Sequence, residues 1–188
     1  MSDKKNHLPG EVGIWIFILG DMVIFGLFFL VYVYYRGLDI ELYRHSQAQL
    51  NQHYGALNTL LLLASSWFVV MGVEKARHGL GFKATPFFAS ALACGLGFSA
   101  VKVVEYSDKL AADITITSND FFMYYYIFTG LHFLHVVIGM GVLIFLIVKT
   151  RTRHFQSSDM AMVESGASFW HLVDLLWIIL FPLLYLMP

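Results

Sequence analysis

The sequence predicts an all-α integral membrane protein, a bundle of five transmembrane helices, and three observations carry that prediction. The 188-residue chain is 58% hydrophobic and 16% aromatic. Only 13% of it is charged, against roughly one-quarter in soluble domains, so about half of the usual solvated surface is missing. Its mean hydropathy is +0.66, and five stretches reach the length of about 20 helical residues that a hydrocarbon core of roughly 30 Å requires. This composition excludes a soluble globular enzyme and a disordered chain. With 12 basic against 13 acidic residues the net charge is -1, so there is no basic patch for a phosphate backbone and no nucleic-acid partner is expected.

Before the first span, Lys4 and Lys5 are not followed by a short apolar core with a small-residue cleavage site. The long run after them has spanning length, so the expectation is a retained helix and not a signal peptide. That first span is Ile14–Tyr35, followed by Leu57–Val73, which extends at its Tyr54 end. The third, Pro86–Val104, has Thr85 as its expected N-cap and Pro86 at the first helical position, where a missing N–H does no harm. The fourth, Phe121–Val148, is longer than the bilayer needs and must tilt or protrude. The fifth, Phe169–Met187, contains Pro182, and a kink is expected there. The connections are too short for an extramembrane domain, so residues 1–188 are expected to form a single transmembrane domain. No internal repeat interrupts that reading.

Lys and Arg fall eight to three in favour of the side holding the N-terminal tail, Glu74–Thr85 and Lys149–Ser168. The three on the other side are Arg36, Arg44 and Lys109. The positive-inside rule therefore predicts a cytoplasmic N-terminus and a periplasmic C-terminus. Trp15, Tyr32, Tyr34, Tyr35, Tyr124 to Tyr126 and Tyr185 are expected in the interfacial belts. Cys94 is the lone cysteine, so no internal disulfide and no Cys-based zinc spacing exists.

Ionisable side chains within spans are costly, and each asks for a partner or a role. Asp21 lies amid Ile18, Leu19, Met22 and Val23, and reads either as a proton-linked carboxyl or as a hydrogen-bonded structural acid. His132 and His135 are spaced i, i+3 on one helical face, as are His171 and Asp174 on the next span. Such pairs could ligate haem or a metal ion. They could equally hydrogen-bond across helices and to lipid headgroups, the reading preferred here. Lys102 and Glu105, also i, i+3, are expected to pair near the end of span three, where Lys can snorkel. Ala89, Ala93 and Gly97, and one step round Ala91, Gly95 and Ser99, form two small-residue faces expected to serve as packing seams. The aromatic face at Phe121, Phe122, Tyr124 to Tyr126 and Phe128 is expected to pack or to face lipid.

Taken in order, these landmarks resemble the subunit III family of haem–copper oxidases, over roughly residues 8 to 187. Gly13 to Met22 reads Gly-Ile-Trp-Ile-Phe-Ile-Leu-Gly-Asp-Met, with Gly20–Asp21 at the family's Ser-Glu pair, then Phe25, Phe28 and Phe29. Leu57, Asn58 and Thr59 with Ser65 and Ser66 are similar to its Leu-Asn-Thr…Ser-Ser stretch. Lys102, Glu105 and Tyr106 match Gln-x-x-Glu-Tyr apart from the lysine. Thr129, Gly130, His132, His135, Val136 and Gly139 match Thr-Gly-x-His-x-x-His-Val-x-x-Gly. Glu164, Trp170, His171, Val173, Asp174 and Trp177 match Glu…Trp-His-x-Val-Asp-x-x-Trp.

The resemblance implies a non-catalytic subunit with no cofactor of its own, set against a catalytic subunit I that carries haem and, in the oxidases, copper. It implies a multi-pass subunit of the bacterial inner membrane that stabilises the catalytic subunit, binds phospholipid and supports proton uptake. By position, Asp21 would be the intramembrane carboxyl. Glu105, His132, His135, Glu164, His171 and Asp174 would form the polar interior that organises the bundle or holds lipid. The family's carboxyl is usually Glu, so Asp21 is a departure. Leu8-Pro9-Gly10-Glu11 with Phe17 to Asp21 looks most like the branch accompanying bacterial nitric oxide reductases. Two further readings stand beside this one: a small intramembrane haem or metal protein using His132, His135 and His171, and a proton-coupled carrier using Asp21.

Overall fold

A computed structural model describes residues 10–151 and 159–187, and all its regular structure there is helical. Lys4, Lys5, Leu8, Pro9 and Arg153, which entered the charge balance and the motif matches, lie outside the described residues. The helices are α1 (Val12–Leu38), α2 (Ile40–Gln47), α3 (Gln52–Arg77), α4 (Gly81–Ala111), α5 (Asp120–Arg151) and α6 (Met160–Phe181), followed by a π-helical turn (Pro182–Leu186). Five of them are long and apolar enough to cross a membrane, as expected.

The ends of these helices follow from local chemistry. Asp39, between α1 and α2, accepts a hydrogen bond from the Leu42 N–H at 3.1 Å and caps the short helix. Asn51 and Asn119 cap α3 and α5 through bonds from the His53 and Phe122 N–H groups at 3.0 and 2.9 Å. At the end of α3, Gly79 adopts φ +71. Its N–H bonds the Ala76 carbonyl while that of Leu80 bonds Lys75, the paired closure that a left-handed residue makes possible.

That closure moves the start of the next span. α4 begins at Gly81, directly after the turn, so Thr85 is not its N-cap and Pro86 sits one turn inside the helix. The Thr85 hydroxyl instead meets the Thr150 hydroxyl on α5 at 3.2 Å. The final span also starts earlier than expected, at Met160, which brings Glu164 into α6. At Pro182 the chain does not simply kink. It widens to a π-turn, closed by the Met187 N–H on the Pro182 carbonyl at 3.0 Å.

α3, α4, α5 and α6 pack as the core, with α6 touching α3, α5 and α1. Trp170 of α6 fills a slot between two helices because Gly95 and Gly139 lack side chains. A Cβ there would come within 3.0 and 2.7 Å of the indole. Of the two small-residue faces, Ala91 and Gly95 are buried, while Ala89 and Ala93 are exposed. The Ala91–Gly95 face is thus the seam and the Ala89–Ala93 face is not, and Ser65 of α3 crosses the seam to bond the Ala91 carbonyl at 3.0 Å. The aromatic face of α5 turns inward: Phe121, Phe122, Tyr125 and Phe128 are buried. Tyr32, Tyr125 and Tyr185 are core residues and not belt residues, a correction to the sequence reading.

α1 is attached differently. Its buried residues are Ile18, Phe25 and Tyr32, a seven-residue repeat that gives one narrow seam. The rest of its surface, including Ile16, Leu19, Val23, Leu27 and Leu30, is exposed and apolar.

Candidate functional site

Among the described residues, three polar clusters take up the residues singled out in the sequence, with His132 packed beside the second. The first joins α1 to α5. His135 Nδ1 is 2.8 Å from the Leu131 carbonyl oxygen, which can only accept, so Nδ1 carries a hydrogen. Nε2 then faces Asp21 Oδ2 at 2.9 Å. A bare imidazole nitrogen and a carboxylate oxygen are both acceptors, so this contact requires one proton between them. It sits on the acid or on the imidazole, and in either state the hydrogen bond stands. Phe25 of α1 and Phe169 of α6 flank the ring at 5.6 and 6.4 Å between centroids. One methylene fewer than Glu does not prevent Asp21 from reaching its partner.

The second cluster is the Lys102–Glu105 pair. The expected ion pair is present at 2.8 Å, but Lys102 does not snorkel: both side chains are 1% exposed. Tyr185, from the π-turn, donates to Glu105 Oε1 at 2.6 Å and accepts from Lys102 Nζ at 2.9 Å. The ammonium lies 4.8 Å from the centre of the Trp177 ring, with Tyr125 and Tyr185 at 5.5 Å. Such rings offset part of the cost of desolvating a cation. The π-turn is what brings Tyr185 here, and Gln52 of α3 holds it by donating to the Tyr185 carbonyl at 3.1 Å.

Beside this pair, His132 is wholly buried between Trp177 and Phe98, with ring centroids at 5.2 and 5.6 Å. Neither of its ring nitrogens has a hydrogen-bond partner among the described residues. The expectation that it bonds across helices is therefore not met; aromatic packing holds it instead. His132, His135 and His171 do not converge: the first packs on Trp177, the second meets Asp21 and the third meets Ser66. Among the described residues no group of three or more His, Cys, Asp or Glu side chains could hold a metal ion.

The third cluster lines a groove of about 380 Å³ between α3 and α6. Glu164 pairs with Arg77 at 2.8 Å and accepts the Gly10 N–H at 3.1 Å, tying α3, α6 and the entrance to α1 together. Deeper in, His171 Nδ1 is 2.8 Å from the Ser66 hydroxyl. The Asp174 carboxyl behind it is buried and lies 3.8 Å from the same nitrogen, too far for a hydrogen bond. Ser66, His171 and Asp174 therefore do not form a nucleophilic triad, because hydroxyl and carboxylate both face Nδ1.

Sequence reasoning missed two participants. Tyr185 has the position of a belt residue, an aromatic near a span end, and only the π-turn reveals its inward direction. Arg77 lies beyond the apolar run of its span and Glu164 ahead of the next one, so apolar length alone does not show that both are helical and opposed.

Comparison with known proteins gives the family. The family described as "Cytochrome c oxidase subunit III" matches residues 46–187. "Cytochrome c oxidase subunit 3" of Synechocystis sp. is 27% identical over 98% of this chain and 83% of its own length. "Probable cytochrome c oxidase subunit 3" of Mycobacterium bovis is 29% identical over 93% and 86%, and that of Mycobacterium leprae is 33% identical over 73% and 68%. The matched region holds α3 to α6 and with them the Lys102–Glu105 pair, His132 and the groove. The chain belongs to the cytochrome c oxidase subunit III family, as a multi-pass protein of the bacterial inner membrane.

Proposed function

We propose that this chain is a non-catalytic subunit that packs against the catalytic subunit I of a respiratory haem–copper oxidase, stabilises it, holds phospholipid and supports proton uptake. The family match over residues 46–187 carries the first part of the reading. Haem and copper then belong to the partner. In this reading the buried Glu105, His132 and Asp174 organise the bundle, since side chains at most 4% exposed cannot meet a lipid headgroup. Glu164 and His171, which line an open groove, are the members of the set that can.

The proton-linked part rests on the Asp21–His135 contact, which holds one proton at the seam between α1 and α5. The positive-inside balance supports a cytoplasmic N-terminus, which places Lys75, Lys83 and Lys149 on the cytoplasmic side. A nitric oxide reductase as the complex is supported only by Leu8-Pro9-Gly10-Glu11 with Phe17 to Asp21.

The test is a comparison of the assembled oxidase with the same oxidase prepared without this chain. The expected result is a similar initial rate of oxygen reduction with faster loss of activity during continuous turnover. Identical inactivation kinetics with and without the chain would contradict the proposal.

A further inference from the structure

We infer that the groove between α3 and α6 binds one glycerophospholipid with an amine-bearing, zwitterionic headgroup. This rests on the lipid-holding reading above and deepens it by naming a site and a headgroup class. The groove has three tiers. At its mouth Arg77 and Glu74 stand in the last turn of spanning helix α3, at the level of the membrane surface. Arg77 gives Nε and one terminal nitrogen to Glu164 Oε1, at 3.0 and 2.8 Å. A guanidinium has five N–H donors, so others remain for phosphate oxygens.

Below the mouth come Ser168 and then His171, the latter seven residues past Glu164 on α6 and so about 10 Å deeper at 1.5 Å per residue. His171 engages Ser66 through Nδ1 and leaves Nε2 at the groove, with its side chain 37% exposed. When Nδ1 accepts from the Ser66 hydroxyl, Nε2 carries the hydrogen and can donate to an ester carbonyl of the glycerol backbone. Val70, Val73 and Ala167 complete the lining, and Leu63 and Trp67 continue an exposed apolar surface down α3, where acyl chains can lie.

Charge selects the headgroup. Among the described lining residues Arg77 and Glu164 balance each other, which leaves Glu74 as their net charge. A phosphate alone would meet Arg77 but be repelled by Glu74. A headgroup with phosphate and ammonium a few bonds apart satisfies both. An anionic glycerol headgroup offers Glu74 only neutral hydroxyl donors and no cation, so the charge-assisted bond is missing.

The test uses the assembled complex carrying this chain, stripped in dodecyl maltoside and incubated with micelles containing either phosphatidylethanolamine or phosphatidylglycerol of identical chains. Native mass spectrometry counts the retained lipid, and the haem content of each preparation reports assembly. The wild-type complex is expected to retain phosphatidylethanolamine about tenfold better than phosphatidylglycerol, from charge-assisted hydrogen bonds at the mouth. Glu74→Gln should bring the two lipids close to parity, and Arg77→Gln should lower retention of both. Equal retention of the two lipids by the wild type would overturn the inference. So would phosphatidylethanolamine retention that neither substitution changes, and in that case lipid holding itself survives at another place. A complex that retains no lipid at all would remove both the inference and the lipid-holding reading.

Discussion

Asp21 shows how much one side chain can decide. It is the only acid on the described part of α1 after Glu11 and before Asp39, and it meets His135 across the seam. Asn at this position can still donate to Nε2 but has no acidic proton to pass to it. Asp21→Asn should therefore leave the complex assembled and shorten its lifetime under turnover; an unchanged inactivation rate would refute a proton-linked role. The Lys102–Glu105 pair makes a different prediction. Lys102→Met strands a buried carboxylate and should destabilise the chain by about 3–5 kcal/mol. Lys102→Gln, which retains a donor of the family's usual type, should cost clearly less. Thermal denaturation of the complex in detergent distinguishes the two. His132→Ala opens a cavity against Trp177 and Phe98 and should cost about 2–4 kcal/mol. The haem spectrum of the partner should stay the same, and a shifted one would restore a ligand role to His132. At this scale the sequence made the identities of the polar residues legible but not their directions. Spacing of i, i+3 put His132 and His135 on one face, yet one points at Trp177 and the other at Asp21, because each lies at a different helix contact.

The five spanning helices are readable from apolar length alone, whereas the short polar α2 and the helix ends are not. The early start of α4 depends on Gly79, whose φ of +71 closes α3 and lets Gly81 open the next helix at once. Gly79→Ala has open space for its methyl group but a strained backbone. It should cost about 1–2 kcal/mol, visible as a lower denaturation midpoint. A loss as small as at ordinary surface sites would show that the turn relaxes. Pro86 misled the sequence reading because proline favours a first helical position without being confined to it. Pro182 was correctly seen as a disruption, but the π-turn it produces is a product of tertiary contacts. Lys102, Glu105 and Gln52 all grip Tyr185, and Tyr32 of α1 reaches the Leu183 carbonyl at 3.4 Å. None of these partners is near Pro182 in sequence.

For the whole molecule, the unequal attachment of the helices sets the terms on which it can work. α3 to α6 share a core of interlocked aromatic rings, small residues and buried polar pairs. α1 is held by a narrow seam and by Glu164, Ser165, His135 and Leu183 at successive levels. Its remaining surface is apolar and open, as is much of the outer face of α5 at Leu134, Val137, Ile138, Ile144 and Phe145. Such faces need lipid or a neighbouring membrane protein, and a subunit of a larger complex has both. Membership in such a complex is tested by isolating the tagged chain from its native membrane in mild detergent. Mass spectrometry should find a haem-bearing catalytic subunit I in near-equal amount, and the identity of that subunit separates an oxygen-reducing from a nitric-oxide-reducing assembly. A chain that is recovered alone, stable and without such a partner, would contradict the account.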